Sequence, residues 1–159
     1  MKVSFDLDDT LFIDEDKIDA EIGLKFPFKY FYKERRLRLG TIELMNKIID
    51  NGIDLWIYTT SFRPRNYIKK YFRKYGIKIH SKNIVNAQRH MDEIQNNRKD
   101  ILPSKYPPRY KIDLHIDDDI SVKKNGEMYG FRVFLLSGNN KNWTKELWEE
   151  IMKIKSNCT

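Results

Sequence analysis

Cysteine is almost missing from this chain: the one thiol, Cys158, sits next to the C-terminal residue. No disulfide framework and no thiolate metal site can form within its 159 residues. Long apolar runs are missing as well, and no stretch approaches membrane-spanning length. The opening "MKVSFDLDD" carries acids where a secretion signal needs an apolar core, so a cytoplasmic setting without a membrane partner is expected. There is no internal repeat, no low-complexity tract and no linker to a second domain. The histidines add little: His80 and His90 lack ligand spacing, and His115 falls mid-strand, where core packing is the expectation.

What is present suits one folded domain over 1–159, with 40% hydrophobic and 33% charged residues. The formal net charge is +7. That excess suits a polyanionic partner such as nucleic acid, but a lysine-rich surface with no such partner is the simpler reading.

Apolar periodicity alternates between two and three-to-four residues along the chain. "KVSFDL" reads as a strand, with Val3, Phe5 and Leu7 on one side. "TIELMNKIIDNG" reads as a helix stopped by Gly52, and "IDLWIYT" as a buried strand. "PRNYIKKYFRKYG" is an amphipathic helix with Pro64 in its first turn and Gly76 at its end. A short strand is expected within "KIHSKNIVNA", a helix from 87 to about Lys99, then the Pro-rich loop "LPSKYPPRYK". "IDLHID" and "FRVFLL" are further strands, and "NWTKELWEEIMKIK" is a closing helix with Trp143 and Trp148 inward. Strand–helix alternation predicts an α/β fold: a three-layer, doubly wound, Rossmann-like and mostly parallel sheet with helices on both faces. Residues 12–38 fit neither period and read as a short flap insert after the first strand. Ligands of such sheets bind beyond the carboxyl ends of the strands.

Two of those ends are acidic. "FDLDDTLF" places Asp6, Asp8 and Asp9 within four residues, and "LHIDDDI" places Asp117, Asp118 and Asp119 together. Side chains alternate along extended chain, so Asp6 and Asp8 share one side while Asp9 becomes a turn residue. Converging carboxylates need a counter-charge, and oxygen-only ligands favour a hard cation, Mg²⁺ first. A third strand end carries the hydroxyls of Thr59, Thr60 and Ser61, donors suited to a phosphoryl oxygen.

In this order the three ends resemble the haloacid dehalogenase superfamily of phosphohydrolases. "VSFDLDDTLF" is similar to its first motif through Asp6, Asp8 and Thr10, "LWIYT" to its second through Thr59, and "LHIDD" to its fourth through Asp117 and Asp118. The third motif is a lysine or arginine upstream of the fourth. Lys105 is the first choice; Lys99 has the more usual separation, and Arg109 and Lys111 are alternatives. The resemblance implies that Asp6 attacks phosphorus to form an aspartyl-phosphate and that Asp8 serves as proton donor, then acceptor. It implies that Asp6, the backbone carbonyl of Asp8, Asp117 and Asp118 hold Mg²⁺. Thr59 and the lysine would bind phosphoryl oxygens, with Thr60, Ser61 and Lys99 as further substrate contacts. Thr10 would shape the loop after the nucleophile and contribute to substrate binding. The acid at Asp8 points to a phosphatase. The alternatives are a phospho-acceptor signalling domain, or a nucleic-acid-binding domain with a degenerate site; the intact acid pair, and Thr59 where an acceptor Asp would stand, argue against both.

The short insert resembles that of capless or minimally capped members. A phosphorylated macromolecule could then reach the site as readily as a small molecule, unless a partner subunit supplies a lid. The insert itself, "GLKFPFKYFYKERRLRLG", interleaves aromatics with cations. It suits a platform that stacks bases and steers phosphates. It equally suits a flap strand that packs Phe26, Phe28, Tyr30 and Tyr32 on the core with lysines facing water, which is the expectation from alternation.

Overall fold

The computed structural model describes residues 1–32, 36–96, 102–136, 138 and 140–157. Within them, the apolar alternation of the first strand, β1 (Lys2–Phe5), places it at the centre of a five-stranded sheet. A two-residue strand, β2 (Phe12–Ile13), a one-turn helix, α1 (Phe28–Phe31), and β3 (Arg36–Leu37) make up the insert, with β2 and β3 paired antiparallel. Then follow α2 (Thr41–Asp50), β4 (Asp54–Tyr58), α3 (Arg65–Lys74) and β5 (Ile84–Val85). The helix α4 (Ala87–His90) runs into a π turn at Met91–Gln95. The chain closes through β6 (Leu114–Asp117), α5 (Ile120–Tyr129), β7 (Val133–Leu135) and α6 (Trp143–Ser156).

The strand order is β5-β4-β1-β6-β7 and every pairing is parallel. The winding direction reverses between β1 and β6, which makes the sheet doubly wound and opens a crevice there. Odd-numbered β1 and β4 residues, Val3, Phe5, Leu55 and Ile57, pack with α2, α3 and α6 in one core. Trp56, Tyr58 and Val85 pack on the opposite face against Ile94, Leu102, Tyr110 and Ile112.

Three readings need correction or extension. The insert is not a flap strand packed on the core: Phe26, Tyr30 and Phe31 are exposed, and Tyr32 packs against Tyr67 and Tyr71 of α3. Helical structure after 87 reaches Gln95, and Lys99 lies outside the described residues. The helix α5 is absent from the apolar pattern of "ISVKKNGEMYG", which mixes weak helix formers with Gly126. It exists because Asp119 caps it, accepting from Ser121 N at 2.7 Å, and because Gly126 lets it close on β7. A Cβ at Gly126 would lie 2.6 Å from the Phe131 carbonyl oxygen and 2.9 Å from Val133 Cγ2.

Candidate active site

Register builds the site. Parallel pairing sets Ser4 opposite His115. Side chains repeat every two residues on a strand face, so Asp6 arrives beside Asp117 at the carboxyl ends. The pairing continues that far, because Asp6 N donates to Ile116 O at 2.9 Å.

Lys105 Nζ joins the two acids, 2.8 Å from Asp6 Oδ1 and 2.6 Å from Asp117 Oδ2, with all three side chains buried. The loop that delivers Lys105 is pinned from the sheet: Tyr106 N donates to the Tyr58 hydroxyl at 2.9 Å. Tyr58 in turn meets His90 Nδ1 at 2.6 Å. His115 stands beneath Asp117, its Nε2 2.9 Å from Asp117 Oδ2 and its Nδ1 2.8 Å from Ser4 Oγ. Burial lowers the pKa of His115 and keeps the ring neutral. A neutral ring that donates from Nε2 to the carboxylate accepts the Ser4 proton at Nδ1.

The two acids are driven apart electrostatically. For Asp6, burial is the largest influence and raises its pKa; Lys105 pulls it back, Asp117 pushes it up, and the result is about 7. Burial would raise Asp117 as well, but the His115 hydrogen bond and the charge of Lys105 outweigh it and hold Asp117 at about 2. Burial opposes the charge on Lys105, yet Asp6 and Asp117 overcome it and raise its pKa.

Asp118 completes the acidic group: one carboxylate oxygen from each of Asp6, Asp117 and Asp118 lies within 4.8 Å of the others. The donor set fits a divalent cation on three grounds. All donors are hard oxygens. The charges of three carboxylates and one ammonium leave two negative charges to be met. Asp6 Oδ1 is buried with its hydrogen-bonding capacity unfilled, the Lys105 ammonium at 2.8 Å being its ionic neighbour. Thr10 aligns Asp118, donating from Oγ1 to Oδ1 at 2.7 Å and accepting from Asp118 N at 3.1 Å. Thr10 is fully buried, so its hydroxyl serves Asp118 rather than solvent or a ligand.

The Asp8 carboxylate faces elsewhere. Arg63 grips it through both oxygens, at 2.8 and 3.0 Å, while also donating to Ser61 Oγ at 2.7 Å. Thr59 is buried and accepts from Ser61 N at 3.1 Å; Thr60 is exposed. Asp9 sits in the turn with φ of 63°. Arg109 and Lys111 are exposed. Behind the loop, the buried Arg38 donates to Thr10 O at 2.9 Å and Gly138 O at 3.2 Å, bracing the turn that carries Asp8 and Asp9.

Arg63, Tyr58, His115 and Ser4 were not among the sequence candidates. Two of them carry a legible signal: Ser4 and His115 stand two residues before Asp6 and Asp117, on the same faces. Arg63 carries none, because its partner is 55 residues away.

Neither a protein-family model nor a curated protein matches the chain. Comparison with solved structures finds similarity to a hypothetical protein, PH1952, from Pyrococcus horikoshii OT3, at 14% identity and a TM-score of 0.38. The match covers 84% of this chain and spans 40% of that one.

Proposed function

We propose that the chain is a Mg²⁺-dependent phosphohydrolase of the haloacid dehalogenase type, hydrolysing a phosphomonoester through an aspartyl-phosphate on Asp6. The observation that carries this reading is the meeting of Asp6, Asp117 and Asp118 around Lys105 at the switch between β1 and β6. Asp6, Asp117 and Asp118 would hold the cation, which supplies charge neutralisation to the transferring phosphoryl group.

In the first step an Asp6 carboxylate oxygen bonds to phosphorus as the bond from phosphorus to the leaving oxygen breaks. Asp8 gives that oxygen a proton, and the alcohol departs. In the second step a water oxygen bonds to phosphorus, the bond to Asp6 breaks, and Asp8 takes the water's proton. Inorganic phosphate leaves and both acids return to their starting forms. Lys105 offsets charge on Asp6 and on the phosphoryl oxygens throughout.

Arg63 adds a condition. With both Asp8 oxygens held by the guanidinium, a proton can reside on Asp8 only after one contact is released. An arriving phosphate gives Arg63 a second anionic partner and so loosens that grip. The test is release of nitrophenol from p-nitrophenyl phosphate, with Mg²⁺ and with chelator. Metal-dependent turnover that disappears in Asp6→Asn is the expected result; turnover retained in that variant would refute the nucleophile assignment.

A further inference from the structure

The insert leaves a group of aromatic side chains without a core to pack on. Phe26 is 76% exposed, Tyr30 61% and Phe31 70%, and α1 buries none of its residues. Phe62, between Ser61 and the Asp8-bound Arg63, is 66% exposed. Isolated exposed aromatics need no explanation, but several on one short segment mark a contact surface.

Two stretches of the chain carry cations and no acid. Residues 22–32 contain Lys25 and Lys29 and no acid. Residues 55–91 contain nine lysines and arginines and no acid, so the rest of the chain carries two more acids than bases. The basic excess is therefore concentrated in one stretch of the chain rather than spread evenly along it. The helix α3 lies within that stretch and turns Arg65, Lys70, Arg73 and Lys74 to solvent. The insert lies along this helix: Lys74 Nζ stands 3.7 Å from the Phe28 ring centre, and Tyr32 meets Tyr67 and Tyr71. Ten residues of helix span about 15 Å, and its first residue follows Arg63 and Pro64 at the site.

We infer that this face binds single-stranded nucleic acid and that the substrate is a phosphate at a strand end. This inference rests on the phosphohydrolase reading for its chemistry. Exposed rings accept the faces of unstacked bases without regard to sequence, and a row of cations follows a phosphate backbone. A lipid surface would also meet cations and rings, but the cations of α3 lead from the insert at Lys74 back to Phe62 and Arg63 at the end of the sheet that carries the acids, where a strand terminus, not a bilayer, can enter.

The experiment compares kcat/KM for a terminally phosphorylated oligothymidylate of about ten nucleotides with that for p-nitrophenyl phosphate, in the wild type and in Tyr30→Ala/Phe31→Ala. Fluorescence anisotropy of the unphosphorylated oligonucleotide, titrated with salt, reads binding alone. We expect salt-sensitive binding, and a loss of about tenfold or more in both binding and oligonucleotide kcat/KM, through KM, in the double variant. Asp6→Asn should abolish turnover and keep binding. Unchanged oligonucleotide kinetics in the double variant, absence of binding at low salt, preference for phosphatidylserine vesicles over oligonucleotide, or a dimer that the double variant dissolves would each overturn the inference. Salt-sensitive, variant-sensitive binding without hydrolysis of any ester would sustain the nucleic-acid face and remove the phosphohydrolase reading beneath it.

Discussion

Lys105 sits between two buried carboxylates, and the stability of that trio depends on its charge. Replacing it by methionine leaves Asp6 and Asp117 facing one another without a counter-ion. Breaking a buried pair in this way costs about 3–5 kcal/mol, far more than the lost contacts of an exposed lysine. Lys105→Met should therefore lower the urea midpoint sharply, and Mg²⁺ should restore part of the loss by taking over the charge. A midpoint close to the wild type without metal would show that the trio is not the electrostatic centre described above. His90 offers a separate test, away from the acids. Burial lowers its pKa below the usual 6.5, so as pH falls the unfolded chain takes up the proton first. Stability is then lost as pH drops below 6.5. The stability difference between wild type and His90→Gln should shift against the wild type from about pH 7.5 to 5.5, by at most about 1.4 kcal/mol per pKa unit. A difference independent of pH would mean that His90 is not held neutral. Asp6, whose pKa is raised, acts in the opposite sense in both proteins and cancels in the comparison.

Among the elements, α5 carries the sharpest prediction. Alanine is worth about 1 kcal/mol over glycine in a helix interior, so propensity favours Gly126→Ala. Packing opposes it, since the new methyl would lie 2.6 Å from a backbone carbonyl of the Phe131 turn. Backbone cannot yield as a flexible side chain does, and overpacking costs about 1–3 kcal/mol. A net loss of stability is expected from urea unfolding; a gain would mean that α5 rides farther from β7. The same element shows why its helix was hidden: a short packed helix with a polar, glycine-bearing sequence has no amphipathic stripe to read, and its cap and close approach exist only between partners. The helices α2, α3 and α6 were legible because each buries a continuous apolar face. The insert misled for the opposite reason. Alternating aromatics and lysines satisfy a strand pattern, yet a turn of helix takes the rings to the surface.

For the molecule as a whole, the proposed cation binding would be linked to folding. A ligand that binds only the folded chain stabilises it by RT ln(1 + [L]/Kd). Millimolar Mg²⁺ should raise Tm in the wild type, and the rise should shrink in Asp118→Asn; equal shifts in both would locate the cation elsewhere. None of the described helices is long and apolar enough to cross a membrane.

Alternation along single strands, read locally, was enough to give the parallel α/β class and the three polar strand ends, because a period of two or of 3.6 is imposed on each segment where it stands; the choice of Asp6, Asp117 and Asp118 came from the motif resemblance. The third acid of the first run was legible on the same terms, since Asp9 turns the chain; the cap that Asp119 supplies to α5 was not. Why Asp8 faces Arg63 and not the cluster of Asp6, Asp117 and Asp118, and whether the insert's rings point inward, could not be read that way. Those outcomes depend on sheet register and on contacts such as the 55 residues between Asp8 and Arg63, and a local pattern carries no record of the partner that distance brings close.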